Sequence, residues 1–176
     1  GDVKIYENLD VLPRAFIVHR VQLADDDAAA LAAMQDAAFD PSSQAVLSAS
    51  SGSCSTSDLG QLAGADLGIQ MGASPSERAS ITQYWPERVV IEARLDEPGA
   101  LLLTDAWYPG WRATVDGERA SVCRADLLFR AVALEPGEHR VVLAFRPLGQ
   151  WAGGAISGLG LIVLVVVSRL VFGRAA

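Results

Sequence analysis

The residues best suited to chemistry lie in one short stretch, Asp105-Ala106-Trp107-Tyr108-Pro109-Gly110-Trp111-Arg112. Aromatic rings surround a Pro-Gly turn, with a carboxylate before them and a guanidinium after. Exposed rings stack on sugar faces, and Asp105 and Arg112 have the hydrogen-bonding capacity to hold hydroxyls. This makes Asp105, Trp107, Tyr108, Trp111 and Arg112 the candidate carbohydrate-binding set. The same residues fit two other roles: a tight corner with its rings in a core, or an interfacial belt touching lipid.

Asp105 and Asp116 offer the two carboxylates that glycoside chemistry needs. Asp116, however, precedes Gly117 in an Asp-Gly hairpin signal, and a carboxylate just before a loop, as at Asp105, commonly satisfies backbone amides. We assign no catalytic residue. Asp25-Asp26-Asp27 fit a helix N-cap and first turn rather than a metal site. No spacing among Cys54, Cys123, His19 and His139 fits a metal centre. No glycine-rich phosphate loop or nucleophile elbow is present, so neither metal nor cofactor is expected. Cys54 and Cys123 can pair in an oxidising compartment; otherwise they are two free thiols, one of them buried. His139 reads as a solvated residue after a turn, and Arg14 as the partner of an acidic neighbour.

The elements that must position these residues are mostly strands. The chain of 176 residues allows one domain and an appendage. Arg88-Val89-Val90-Ile91-Glu92-Ala93-Arg94-Leu95 alternates, with Val89, Ile91, Ala93 and Leu95 facing inward. Further strands are expected over 100–104, 111–115, 127–134 and 139–146, joined by Pro98-Gly99, Asp116-Gly117 and Pro136-Gly137 turns. Residues 1–23 read as one or two strands, and Ala45-Val46-Leu47 as a short one. A helix is expected over 26–38, with Leu31, Met34 and Ala38 on its buried stripe. Residues 48–60 read as a Ser/Gly-rich loop. The expected fold is mainly β: an antiparallel β-sandwich over residues 1–148, with one short helix near its N-terminus.

From Trp151 to Phe172 the sequence is uncharged apart from Arg169. As a helix this stretch is about 33 Å long, near the roughly 30 Å hydrocarbon core of a bilayer. A C-terminal transmembrane helix over 149–176 is therefore expected, with Gly154 and Gly158 packing it on other membrane helices. The net charge is −7, and all 21 acidic residues precede Trp151 against 12 of the 14 basic ones. That balance argues against nucleic acid as a partner. The chain opens without Met or a signal segment, and reads as a piece of a longer protein or a cleaved precursor.

The stretch Leu101-Leu102-Leu103-Thr104-Asp105-Ala106-Trp107-Tyr108-Pro109-Gly110-Trp111-Arg112-Ala113-Thr114-Val115-Asp116-Gly117 carries a family resemblance. Phe129-Arg130-Ala131-Val132, Pro136-Gly137-Glu138-His139, Phe145-Arg146-Pro147 and the glycine-rich helix extend it, as do Tyr6-Glu7-Asn8 and Leu12-Pro13-Arg14-Ala15. Together they resemble the C-terminal region of YfhO-type bacterial membrane proteins, which have a glycosyltransferase C superfamily architecture. The resemblance implies an accessory domain on the outer face of the bacterial cell membrane. Its parent would add sugars from lipid-linked donors to cell-envelope glycans. The partners it implies are the bilayer, the parent's other transmembrane helices, and a glycan or lipid-linked sugar. The parent's catalytic acids belong to N-terminal loops that this chain does not contain, so none is carried over. A single-span module that binds glycan or protein is the other reading.

Overall fold

Ala100-Leu101-Leu102-Leu103 has no polar residue for either face of a sheet, and it becomes a strand buried on both sides. The computed structural model describes Lys4, Tyr6, residues 11–48, Cys54 and residues 76–172. Eleven strands and two helices occur among these residues. They are β1 (Ala15–Val18), β2 (Arg20–Ala24), α1 (Asp27–Met34), β3 (Gln44–Ser48), β4 (Arg78–Trp85), β5 (Arg88–Leu95) and β6 (Gly99–Leu103). After them come β7 (Trp111–Val115), β8 (Glu118–Ala120), β9 (Cys123–Ala125), β10 (Phe129–Leu134), β11 (Gly137–Phe145) and α2 (Leu148–Phe172). The chain forms two compact units, Gly1–Phe145 and Arg146–Ala176.

The strands make two sheets. The first has the order β1-β6-β10-β9-β3-β2, the second β4-β5-β11-β7-β8. All pairings are antiparallel except β2 with β3. β1 and β2 lie at opposite edges of the first sheet, yet only His19 separates them in the chain. Two residue steps span at most about 7 Å, so this sheet must curl until its edges approach. It is a half-barrel.

Alternation along the strands sorts side chains between two cores. Leu101, Leu103, Val132 and Leu134 face the second sheet and meet Val89, Ile91, Ala93, Leu95, Val141 and Leu143. Val18, Leu47, Ala100, Leu102, Cys123, Ala125 and Ala131 fill the inside of the curl. Truncating Ile91 to Ala would leave a cavity in the first core and cost about 2–5 kcal/mol. Cys123 is joined to Cys54 in a disulfide that closes 69 residues.

Several expectations are corrected. The fold is not a plain antiparallel sandwich: one sheet is a half-barrel and contains a parallel pair. The expected transmembrane helix is overturned as well. α2 forms, but among the described residues no helix is long and apolar enough to cross a membrane. The strongly apolar run Leu161 to Val167 spans only about 10 Å, glycines occupy much of the preceding part, and Arg169 follows. Gly158 has open space around its Cα, whereas Gly154 lies outside the described side chains.

α1 is capped by Asp26, whose side chain accepts from the Ala29 amide, in agreement with the capping role. It ends at Met34, before the expected residue 38, because the Asp36 carboxylate takes the Ala38 amide and turns the chain. Its buried stripe is Ala30, Ala33 and Met34, packed on Val46, while Leu31 is exposed.

Candidate functional site

The aromatic stretch leaves β6 and re-enters the second sheet at β7. Its carboxylate does not face solvent. Asp105 is buried and accepts from Arg14 Nε at 2.9 Å and from the Tyr84 hydroxyl at 3.1 Å. Arg130 Nη2 stands 3.3 Å from Oδ2, the oxygen that the Tyr84 hydroxyl also contacts. Arg130 has the same parity on β10 as Val132 and Leu134, so it continues their inward stripe to the end of the sandwich. There it is only 5% exposed. A guanidinium in that position is tolerable only with a counter-charge, which Asp105 supplies. Burial pulls the Arg130 pKa below its ordinary value, while Asp105 and Tyr84 oppose the fall. It remains a cation. Its Nε donates to the Ala106 carbonyl at 3.2 Å.

Arg130 also lies 3.8 Å above the centre of the Trp111 ring. That contact accounts for the buried Nη1, which has no hydrogen-bond partner. Trp111 packs at 5.4 Å from Phe145, and Phe145 at 6.2 Å from Tyr108. Arg14 covers the Tyr84 ring at 4.4 Å. A chain of charges and rings therefore closes this end of the sandwich: Arg14, Tyr84, Asp105, Arg130, Trp111, Phe145, Tyr108. Desolvation raises the Tyr84 pKa, and its hydrogen bond to Asp105 raises it further.

The expected site residues fall into distinct environments. Trp107 is half-buried, packs against the sandwich core and donates from its indole to the Val122 carbonyl at 3.4 Å. Trp111 is half-buried, whereas Tyr108 is 64% exposed. Arg112 points the other way, to the outer face of the second sheet, in register with Ala144. The structure therefore brings Asp105, Tyr108 and Trp111 together and separates Arg112 from them. Sequence reasoning left Tyr84, Arg130 and Phe145 out of this site. Arg130 carried a signal, as a charge at the end of an apolar alternation.

Asp116 lies at the far end of β7 from Asp105 and serves its turn. Its φ is 54° and that of Gly117 is 91°, the left-handed pair of a tight hairpin. It accepts from the Arg140 amide at 2.8 Å and contacts His139 Nδ1 at 2.7 Å; these bonds lower its pKa. Asp105 and Asp116 thus have separate partners and do not act as a carboxylate pair. His139 is not solvated as expected: its ring is held between Asp116 and the Glu135 carbonyl. Among the described residues no group of three or more His, Cys, Asp or Glu is arranged to hold a metal.

The arrangement can present a fixed aromatic surface, and the Asp105 oxygens beneath it are occupied by two guanidinium groups and a hydroxyl. No family model matches the chain, and no curated protein or solved structure matches it.

Proposed function

We propose that this chain is a non-catalytic, glycan-recognising accessory domain of a larger glycosyltransferase-like protein of the bacterial cell envelope. The glycan reading is carried by one observation: Tyr108 projects to solvent beside Phe145 and Trp111, on a ring cluster anchored by Arg130 and Asp105. Rings fixed before a ligand arrives lose little freedom on binding, so more of the contact energy appears as affinity.

The transferase class of the parent rests on the resemblance carried by residues 101–117 and the motifs around it. The Cys54–Cys123 bond supports a location outside the cytoplasm, since disulfides persist in oxidising compartments. The ligand in this reading is an envelope glycan or lipid-linked sugar.

The test is calorimetric titration of the chain with a panel of envelope glycans. Tyr108→Ala is the informative variant, because this exposed side chain can be removed without opening the core. Saturable binding that weakens about tenfold or more, the equivalent of 1.4 kcal/mol, with an unchanged thermal midpoint supports the proposal. Binding that Tyr108→Ala leaves intact, or no saturable binding to any glycan, overturns it.

A further inference from the structure

The register of the second sheet places an unusual set of side chains on the face turned away from the core. Val89, Ile91, Leu143 and Ala113 point inward, so their strand neighbours point outward. Across the end nearest the aromatic cluster, Trp85, Arg88, Ala144 and Arg112 form one row. The next row is Gln83, Val90, Val142, Thr114 and Arg119, in which Val90 is covered at 1% exposure while Gln83 and Arg119 are exposed. Ser80, Glu92 and Arg140 follow, then Arg78, Arg94 and Glu138.

This face therefore holds six arginines against two glutamates, an excess of four positive charges. The whole chain carries −7, so everything else sums to −11. Glu138 stands 3.3 Å from Arg94 and 4.0 Å from Arg78. Among the described residues, the Arg88, Arg112, Arg119 and Arg140 side chains make no ion pair. Beside Arg88, Trp85 is 62% exposed.

We infer that this outer face is a second binding surface, and that it takes an acidic saccharide: Arg88, Arg112 and Arg119 hold its carboxylate or phosphate groups, and Trp85 stacks on a sugar ring. Charge complementarity selects the sign of the ligand, and size selects its class. Arg88 and Arg112 are two strand spacings apart, about 10 Å. Arg112 and Arg119 are diagonal neighbours at about 7–8 Å. That suits two or three separated anionic groups.

Duplex DNA crossing five strands, about 19 Å, would bring roughly 11 phosphate charges against an excess of four. A long duplex or an anionic membrane plane must in addition approach a protein whose remaining charge is −11. A short acidic oligosaccharide does not. Arginine forks suit carboxylate and phosphate oxygens bidentately, and Thr114 and Gln83 supply hydroxyl and amide groups between them. The choice of a saccharide over other small polyanions rests on the glycan reading above; the basic face itself does not.

The experiment titrates the full chain with oligogalacturonate, its neutral methyl ester and a phosphorylated oligosaccharide, alongside a DNA duplex and phosphatidylglycerol vesicles. The proteins are wild type, Arg88→Gln/Arg112→Gln/Arg119→Gln, the corresponding triple Lys variant, Trp85→Ala and Tyr108→Ala, each checked by a thermal melt. We expect saturable binding of at least one acidic oligosaccharide, at least tenfold weaker for the neutral ester and weakening with added salt. The Gln variant should lose at least tenfold, the Lys variant should recover part of that loss, and Trp85→Ala should lose severalfold. Acidic binding that the Gln variant retains overturns the inference. So does binding by the arginines of DNA or vesicles but of no acidic saccharide. Neutral glycan binding that depends on Tyr108 alone, with no acidic saccharide bound, also overturns it while leaving the glycan reading intact.

Discussion

Replacing Asp105 by Ala removes the one counter-charge that the described residues set against a guanidinium 5% exposed. The loss is dominated by Arg130, left buried and unpaired, which costs about 3–5 kcal/mol. Arg14 adds little, since its side chain is 55% exposed and water replaces the carboxylate, a change worth under about 1 kcal/mol. Arg130 keeps the Ala106 carbonyl and the Trp111 ring, which places the expected loss near the lower end, at about 3 kcal/mol. With a urea slope of about 1–3 kcal/mol/M, the unfolding midpoint should fall by roughly 1–3 M. The assay is urea unfolding followed by tryptophan fluorescence and circular dichroism, on wild type, Asp105→Ala, Arg130→Met and Asp105→Ala/Arg130→Met. The double variant removes both charges, so it should be more stable than the sum of the single losses predicts. A loss under about 1 kcal/mol for Asp105→Ala, or strictly additive variants, would refute the view that the pair acts as a buried unit.

Three further outcomes are expected. Cys54→Ala opens a closed loop of 69 residues and should lower stability by about 2–4 kcal/mol; wild type in reducing agent should match it in an unfolding titration. Asp126 accepts from the buried Val46 amide at 2.8 Å, and desolvation raises its pKa against that bond. A carboxyl group raised in this way contributes stability present below its unfolded value of about 3.9 and lost as pH rises through the folded value. Asp126→Asn should therefore gain on wild type between acid and neutral pH, while Asp126→Ala, which orphans the Val46 amide, should lose about 1–3 kcal/mol; pH-dependent urea midpoints separate the two. For His19, burial lowers the pKa, but hydrogen bonds to the Pro98 carbonyl and Glu77 outweigh it and the net shift is upward. Its stabilising contribution is thus complete below about pH 6.5 and lost as pH rises through the folded value. The advantage of wild type over His19→Asn in thermal melts should shrink on that rise, and a constant advantage would contradict the assignment.

What could be read in advance was local. β5, β7, β10 and β11 announce themselves because one face is apolar and tight turns separate them, and Asp116-Gly117 forms the hairpin that the dipeptide predicts. β4 was missed because its inward residues are only Ala79 and Ile81, diluted by a bulge after Ile81. β8 and β9 are too short for any period to show. The curl of the first sheet is a non-local fact: β1 pairs with β6 more than 80 residues away, and nothing in either strand names the other. The site follows the same division. Asp105, Tyr108 and Trp111 were recognisable by type and spacing, whereas Arg14 reaches Asp105 across 91 residues. The outer arginines could have been found, since β5 puts Arg88, Glu92 and Arg94 in alternate positions. Their meaning needed the neighbours β11, β7 and β8. At α2 the apolar stretch does form a helix, but among the described residues no helix is long and apolar enough to cross a membrane.

The most direct test of the glycan reading is to map the contact itself. The chain labelled with nitrogen-15 and carbon-13 would be titrated with the tightest-binding envelope oligosaccharide and followed by amide and aromatic NMR spectra. The account predicts progressive, saturable shifts centred on Tyr108, Trp111 and Phe145, with intermolecular contacts from sugar protons to the Tyr108 ring. Shifts confined to residues away from the aromatic end, or no saturable shifts, would contradict it.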